Sequence, residues 1–146
     1  MIHIAFLFFF VYNNNIKRDW RYCDMCTLIE LDNGNYVADI KKKYIQNICD
    51  SAKDFENISR IVLFGSALQT RCTEKSDIDI AVFGEKSRSA YLKSKEFKQF
   101  QRKLFAFDDT FSQDYDVLYF CNDVEYNDSI MRDIKNGAEI YRRGQS

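Results

Sequence analysis

The strongest constraint on the fold of this chain is the stretch from Arg60 to Val82, RIVLFGSALQTRCTEKSDIDIAV. An apolar run ends at a Gly-Ser pair, a polar segment follows, and Asp77 and Asp79 then enter a second apolar run. Side chains alternate along a strand, so the two carboxylates point to one face and the apolar side chains between and after them point to the other. The stretch therefore predicts two strands, the second of which begins with an acidic site.

The acidic pair predicts a divalent cation. Two ionised carboxylates about 6 to 7 Å apart on one strand face repel each other, and burying them without a partner is costly. Carboxylates together with substrate phosphate oxygens are the ligands that Mg²⁺ prefers. Gly65-Ser66 follows the first strand and can open a helix, whose free N–H groups and hydroxyl would face an anion. One continuous segment thus predicts a metal site beside a phosphate site.

The order of these residues, Gly65-Ser66, then ten residues, then Asp77-x-Asp79, resembles the signature of the polymerase-beta nucleotidyltransferase superfamily, especially its minimal stand-alone domains. The resemblance covers roughly residues 39–142. It implies an α/β (α+β) fold in which helices cover a mixed β-sheet. It also implies a third carboxylate on a later strand, and Asp116 in YDVLYF stands where that residue is expected.

The resemblance also implies roles for single residues. Asp77, Asp79 and Asp116 would be the catalytic residues and would hold two Mg²⁺ ions. Gly65, Ser66 and Ser76 would bind the nucleotide, with ATP as the substrate. Asp116, as the carboxylate closest to the acceptor, could take the proton of the attacking hydroxyl.

The segment after Ser66 departs from the family pattern. Many relatives carry an arginine directly after the Gly-Ser pair, whereas this chain has Ala67 and Leu68, with Arg71 displaced. The predicted metal site therefore matches the family better than the predicted phosphate site.

Three functions remain open on the sequence. The chain has no room for the helical domain of larger superfamily members and resembles the antitoxin half of two-gene toxin–antitoxin pairs. That resemblance implies AMP transfer from ATP to a tyrosine of a HEPN-type ribonuclease toxin. A second interpretation is a small-molecule transferase of the aminoglycoside-modifying type, completed by a partner subunit or a homo-oligomer. A third is a non-catalytic protein that neutralises its partner by contact alone.

Charge and cysteine content indicate which partners and which cell compartment to expect. The chain of 146 residues has 21 basic and 22 acidic residues, which argues against a nucleic-acid partner. Its five scattered cysteines do not form a disulfide framework, and reduced thiols indicate a cytoplasmic protein. Cys23 and Cys26 have the spacing of half a zinc site, but the only histidine is His3, so we interpret them as incidental thiols.

We expect an N-terminal extension of uncertain structure over residues 1–38 and the minimal nucleotidyltransferase domain over residues 39–146. The apolar opening, Met1–Tyr12, is shorter than the about 20 residues that a membrane span needs, and it lacks a basic start. The sequence therefore predicts no membrane association.

Apolar spacing predicts the remaining elements. Helices are expected over residues 39–56, 85–108 and 127–136, the last capped by Gly137, and strands over residues 27–31, 60–64, 114–120 and 138–141.

Overall fold

The computed structural model describes residues 26–110 and 112–145. The predictions for Met1–Tyr12 and Cys23 lie outside these residues. The elements follow in the order β1 (Leu28–Glu30), β2 (Tyr36–Ala38), a 3-10 helix (Asp39–Lys41), α1 (Lys42–Ala52), β3 (Ile58–Phe64), a second 3-10 helix (Gly65–Leu68), β4 (Ile78–Gly84), α2 (Arg88–Leu92), α3 (Lys95–Phe105), β5 (Tyr115–Cys121), α4 (Ile130–Lys135) and β6 (Ala138–Arg142).

The main sheet is mixed, as expected, with strand order β5-β4-β3-β6. β3 runs antiparallel to both β4 and β6, and β4 runs parallel to β5. A parallel pair needs a long crossover, which the segment containing α2 and α3 supplies. The architecture confirms the α+β fold with a mixed sheet covered by helices.

Both faces of the central strands are buried, which explains why β3 and β4 are almost continuously apolar. One face builds the larger core with the helices; its strand residues include Ile61, Leu63, Ile78, Ile80 and Val82. The opposite face builds a smaller core of Val62, Phe64, Ala81, Phe83, Phe120 and Ile134. Alternation along each strand thus divides the apolar residues between two layers.

The first predicted helix is shorter than expected. It was expected over residues 39–56, but it opens with a 3-10 turn and α1 ends at Ala52. The guanidinium of Arg143 donates to the carbonyl oxygens of Ala52 at 3.2 Å and Phe55 at 2.5 Å. The two bonds satisfy carbonyl oxygens at the end of α1 and just after it, although Arg143 is remote in sequence. The helix can therefore stop at Ala52 while the apolar spacing continues.

The helix predicted over residues 85–108 is wrong as a single element, because it is divided into α2 and α3. Ser94 lies between them, and its hydroxyl donates to the Tyr91 carbonyl at 2.6 Å and accepts from the Phe97 N–H at 3.1 Å. A serine in this position caps a new helix. Ala90 and Phe107, two apolar residues within the predicted range, are exposed.

The last helix also differs from the prediction. α4 spans only Ile130–Lys135, and Asn136 rather than Gly137 is its C-cap. A Cβ atom on Gly137 would lie 2.5 Å from the Leu63 carbonyl oxygen and 2.7 Å from Val62 Cγ1. Gly137 is therefore required by the close approach of the chain to β3 rather than by helix termination.

The end of the segment that we predicted as an extension forms a hairpin, β1–β2, packed on the core. Val37 is fully buried, and the Cys26 N–H donates to the Thr70 carbonyl at 2.9 Å. The hairpin thus contacts the loop that leads toward Asp77. The domain boundary at residue 38 stays a prediction.

The cysteines that the structure describes are free thiols, namely Cys26, Cys49, Cys72 and Cys121. The interpretation of Cys23 and Cys26 as incidental thiols stays a prediction, because Cys23 lies outside the described residues.

Candidate active site

The predicted acidic residues meet where β4 and β5 begin. Asp79 is the second residue of β4 and Asp116 is the second residue of β5, and the parallel register pairs them directly. Asp77 precedes β4, because this strand starts at Ile78, one residue later than the sequence predicts. Paired residues on neighbouring strands carry their side chains on the same face, here that of the smaller core. The fold therefore brings Asp116 to the same end of the sheet as Asp77 and Asp79, which precede it in sequence by the whole crossover.

The environment of the Asp79 carboxyl group changes its pKa. Its side chain is half-buried, and burial raises its pKa above the usual value, helped by the charges of Asp116 and Asp77. Among the ion pairs that residues 26–110 and 112–145 form, none includes these aspartates. The three aspartates thus form an acidic site without a direct ion pair.

Gly65 lies directly against Asp79. Its φ is +75°, in the left-handed region, and a Cβ atom at this position would come closer than 3.0 Å to Asp79 Oδ2. The backbone conformation therefore favours glycine, and a larger residue would displace the Asp79 carboxylate. The glycine of the Gly-Ser motif thus leaves room for the Asp79 carboxylate.

The acidic residues fit a hard divalent cation by their chemistry, since all their donors are carboxylate oxygens. In the part of the chain that the structure describes, however, no group of three or more His, Cys, Asp or Glu side chains is gathered to hold a metal ion. The three carboxylates repel one another, because they carry like charges. The pairing of the strands thus places the three aspartates near one another, and their side chains would gather around a cation to complete the site.

The family model described as Polymerase beta, Nucleotidyltransferase matches residues 45–145. The chain belongs to the polymerase-beta nucleotidyltransferase family. The matched range includes Gly65 and all three aspartates, and nucleotidyl transfer is the reaction of this family. No curated protein matches the sequence.

The serines predicted to bind the nucleotide in this nucleotidyltransferase make contacts within the protein. Ser66 Oγ donates to the Asp77 carbonyl oxygen over a long 3.4 Å. Ser76 Oγ accepts from the Thr73 N–H at 2.9 Å and lies 3.2 Å from Thr73 Oγ1. Ser66 therefore links the Gly-Ser turn to the entry of β4, while Ser76 closes the loop before it. Their role in nucleotide binding stays a prediction.

The departure from the family pattern after Ser66 has a structural counterpart. Ala67, where many relatives carry arginine, is fully buried in the larger core. Arg71 lies on the surface, and its Nε donates to the Gln69 side chain. The position after Ser66 thus contributes to the core rather than to a phosphate site.

Two buried polar residues beside the site were missed by the sequence interpretation. Lys41 and Gln113 are only 1% and 4% exposed, and they hydrogen-bond each other. Lys41 lies three and four residues before Tyr44 and Ile45, so helical spacing extended backwards would have placed it on the buried stripe. Gln113 has no comparable signal in the sequence.

No helix among the described residues of this family member is long and apolar enough to cross a membrane.

Proposed function

We propose that this protein is a Mg²⁺-dependent nucleotidyltransferase that moves AMP from ATP to a hydroxyl group of a partner protein. The observation that carries the proposal is the parallel register of β4 and β5, which pairs Asp79 with Asp116 beside Asp77. We further propose that the partner is a HEPN-type toxin and that the protein acts as its antitoxin in the cytoplasm. This part rests on the resemblance to minimal stand-alone domains.

The proposed roles come from the resemblance to the family. Asp77 and Asp79 would hold two Mg²⁺ ions, together with Asp116. When bound, these ions would supply Lewis acidity at the attacking hydroxyl and neutralise charge on the phosphates. Asp116, which is more exposed than Asp79, would accept the proton of the hydroxyl. The hydroxyl oxygen then bonds to the α-phosphorus and pyrophosphate leaves.

A second candidate function is neutralisation of the partner by contact alone. The observation that favours it is the burial of Ala67, which removes an expected phosphate contact from the segment after Ser66. In this case the fold would be retained and nucleotide transfer lost.

The test is incubation with ATP labelled in its adenosine part and Mg²⁺, with and without the product of the adjacent gene and with an aminoglycoside as a third acceptor. We expect label on the partner protein. The double substitution Asp77→Asn with Asp79→Asn should abolish transfer, and Asp116→Asn should lower it by about 100-fold or more. Asp123→Asn, which changes an exposed carboxylate after β5, is the matched control and should leave transfer unchanged.

The other outcomes would contradict the proposed metal site or favour one of the two other functions. Transfer that survives the double substitution would contradict the assignment of the metal site. Tight partner binding without transfer would favour the contact-only function, and label on the aminoglycoside would favour a small-molecule transferase.

A further inference from the structure

We infer that Lys41 and Gln113 are positioning residues that hold the entries of β4 and β5 together and so fix the spacing of the three aspartates. The inference rests on the proposed function for the role of Asp77, Asp79 and Asp116 as metal ligands. Its structural part, the link between the two strand entries, rests on hydrogen bonds and burial alone.

Lys41 bonds the loop that leads into β4. Its Nζ donates to the carbonyl oxygens of Glu74 at 3.0 Å and Ser76 at 2.7 Å, and to Gln113 Oε1 at 2.5 Å. An ammonium group has three protons, so these three acceptors use its full donor capacity. The Ser76 carbonyl immediately precedes Asp77, and the contact therefore acts on the backbone at the start of the acidic motif.

Gln113 extends the same network to β5. Its Nε2 donates to the Ser76 carbonyl at 3.1 Å and to the Asp114 carbonyl at 2.7 Å. The Asp114 carbonyl also accepts from the Ile78 N–H at 3.0 Å. One amide group thus joins the residue before Asp77 to the residue two before Asp116. This bridge reinforces the start of the backbone ladder between the two strands.

Burying the charged group of a lysine in such a place costs free energy. Burial lowers the pKa of Lys41, and the nearby charges of Cys72, Asp77 and Glu74 only partly oppose that effect. An apolar side chain of similar size would avoid the cost of burying a charge. It would also leave the Glu74 carbonyl and the Gln113 side-chain oxygen without this donor.

Positioning and simple electrostatics predict opposite effects on metal binding. Asp77 is among the charges that act on Lys41, so the ammonium group opposes a second cation at the acidic site. Removing the ammonium charge alone should therefore strengthen cation binding. If Lys41 acts by holding the strand entries in register, its removal should weaken binding in spite of the lost repulsion.

The experiment compares Lys41→Met and Gln113→Leu with Lys42→Met, which removes a neighbouring exposed ammonium group as the matched control. Mn²⁺ is the probe, and its dissociation constant is measured by calorimetry alongside circular dichroism. Both test variants should bind Mn²⁺ about tenfold or more weakly than the parent, the usual effect of losing support around metal ligands. Lys42→Met should bind as the parent does.

Amide hydrogen exchange of the metal-free protein supplies an independent readout. We expect faster exchange at Ile78, whose N–H bonds the Asp114 carbonyl, in both test variants, with β3 and β6 unchanged. If Lys41→Met does not fold, Gln113→Leu decides the question, because it keeps the lysine and removes only the amide bridge.

Unchanged or tighter Mn²⁺ binding by a folded test variant would overturn the inference. If the parent protein itself binds no Mn²⁺, the proposed function fails instead, and the exchange data decide the link between the strands. Faster exchange confined to the strand entries would then support the link, and unchanged exchange at Ile78 would overturn it.

Discussion

The contact between Gly65 and Asp79 sets the first prediction at the scale of single residues. Gly65→Ala should lower the free energy of unfolding by about 1 to 2 kcal/mol, because alanine is strained at φ +75°. The new methyl group should also displace the Asp79 carboxylate, so Mn²⁺ affinity should fall by about tenfold or more. Urea unfolding and Mn²⁺ titration measure the two effects.

Gly34→Ala is the matched control. Gly34 has a similar φ of +82°, but its nearest neighbour would lie 4.0 Å from the added Cβ. It should lose similar stability and keep its Mn²⁺ affinity. Equal losses of affinity in the two variants would show that backbone strain, and not the contact with Asp79, is responsible.

The Asp79 side chain should stabilise the folded state more when its carboxyl group is protonated than when it is ionised. Its pKa is raised in the folded state, so the folded chain binds more protons than the unfolded chain. The contribution of this carboxyl group to stability is then full below about pH 3.8 and is lost as the pH rises through the folded pKa. Asp79→Asn should raise the free energy of unfolding at pH 7 by about 0.5 to 1 kcal/mol, a modest gain because partial exposure screens the repulsion.

The measurement is urea unfolding of the parent and Asp79→Asn from pH 3.5 to pH 8. The difference between them should be present at pH 7 and vanish toward the acid end. The exposed Asp123→Asn variant should show no such trend, and a parent that is more stable than Asp79→Asn at pH 7 would contradict the assignment of the pKa shift.

At the scale of elements, Ser94 separates α2 from α3. Ser94→Ala removes the side-chain acceptor of the Phe97 N–H and should cost about 1 kcal/mol of stability. Ser87 is the matched control, since it precedes α2 without a capping hydrogen bond from its side chain. Ser87→Ala should change the free energy of unfolding by a few tenths of a kcal/mol at most. Thermal unfolding of both variants measures the contrast, and equal losses would contradict the capping role.

The elements that the sequence predicted well are those in which local pattern and burial agree. β3 and β4 are apolar runs on either side of the Gly-Ser motif, and their pairing follows from the motif itself. The division at Ser94 was missed because the apolar spacing of Phe97, Phe100 and Leu104 continues a pattern that begins before it. The end of α1 was missed because its partner, Arg143, is remote in sequence.

Contacts between residues that are remote in sequence also limited the prediction of the site. Sequence spacing identified Asp77, Asp79 and Asp116 as candidates, but it could not predict the bridge between Lys41 and Gln113. Helical spacing extended backwards indicates that Lys41 is buried, but its partner Gln113 has no comparable signal, and the two residues meet only through tertiary packing.

At the scale of the whole molecule, Arg143 joins the segment after β6 to the segment between α1 and β3. It bonds the carbonyl oxygens of Ala52, Phe55 and Ile58. Arg143→Ala should lower the free energy of unfolding by about 1.5 to 3 kcal/mol, the range for hydrogen bonds to a charged group. Equilibrium unfolding in urea checks this value.

Arg142→Ala is the control for that prediction. Arg142 forms an exposed ion pair with Glu139, and such pairs contribute little. We expect a change within about 0.5 kcal/mol. A similar loss in both variants would show that the basic end acts through its net charge and not through its bonds to the backbone.

The parallel pairing of β4 and β5 has a consequence for the order in which the protein folds. The antiparallel neighbours β3 and β4 are close in sequence, whereas β4 and β5 must wait until the long crossover between them has closed. A chain that has formed only the first pair carries Asp77 and Asp79 without Asp116. The acidic site is therefore completed late, and a cation that needs all three aspartates would bind the finished fold and would not stabilise its half-folded precursors.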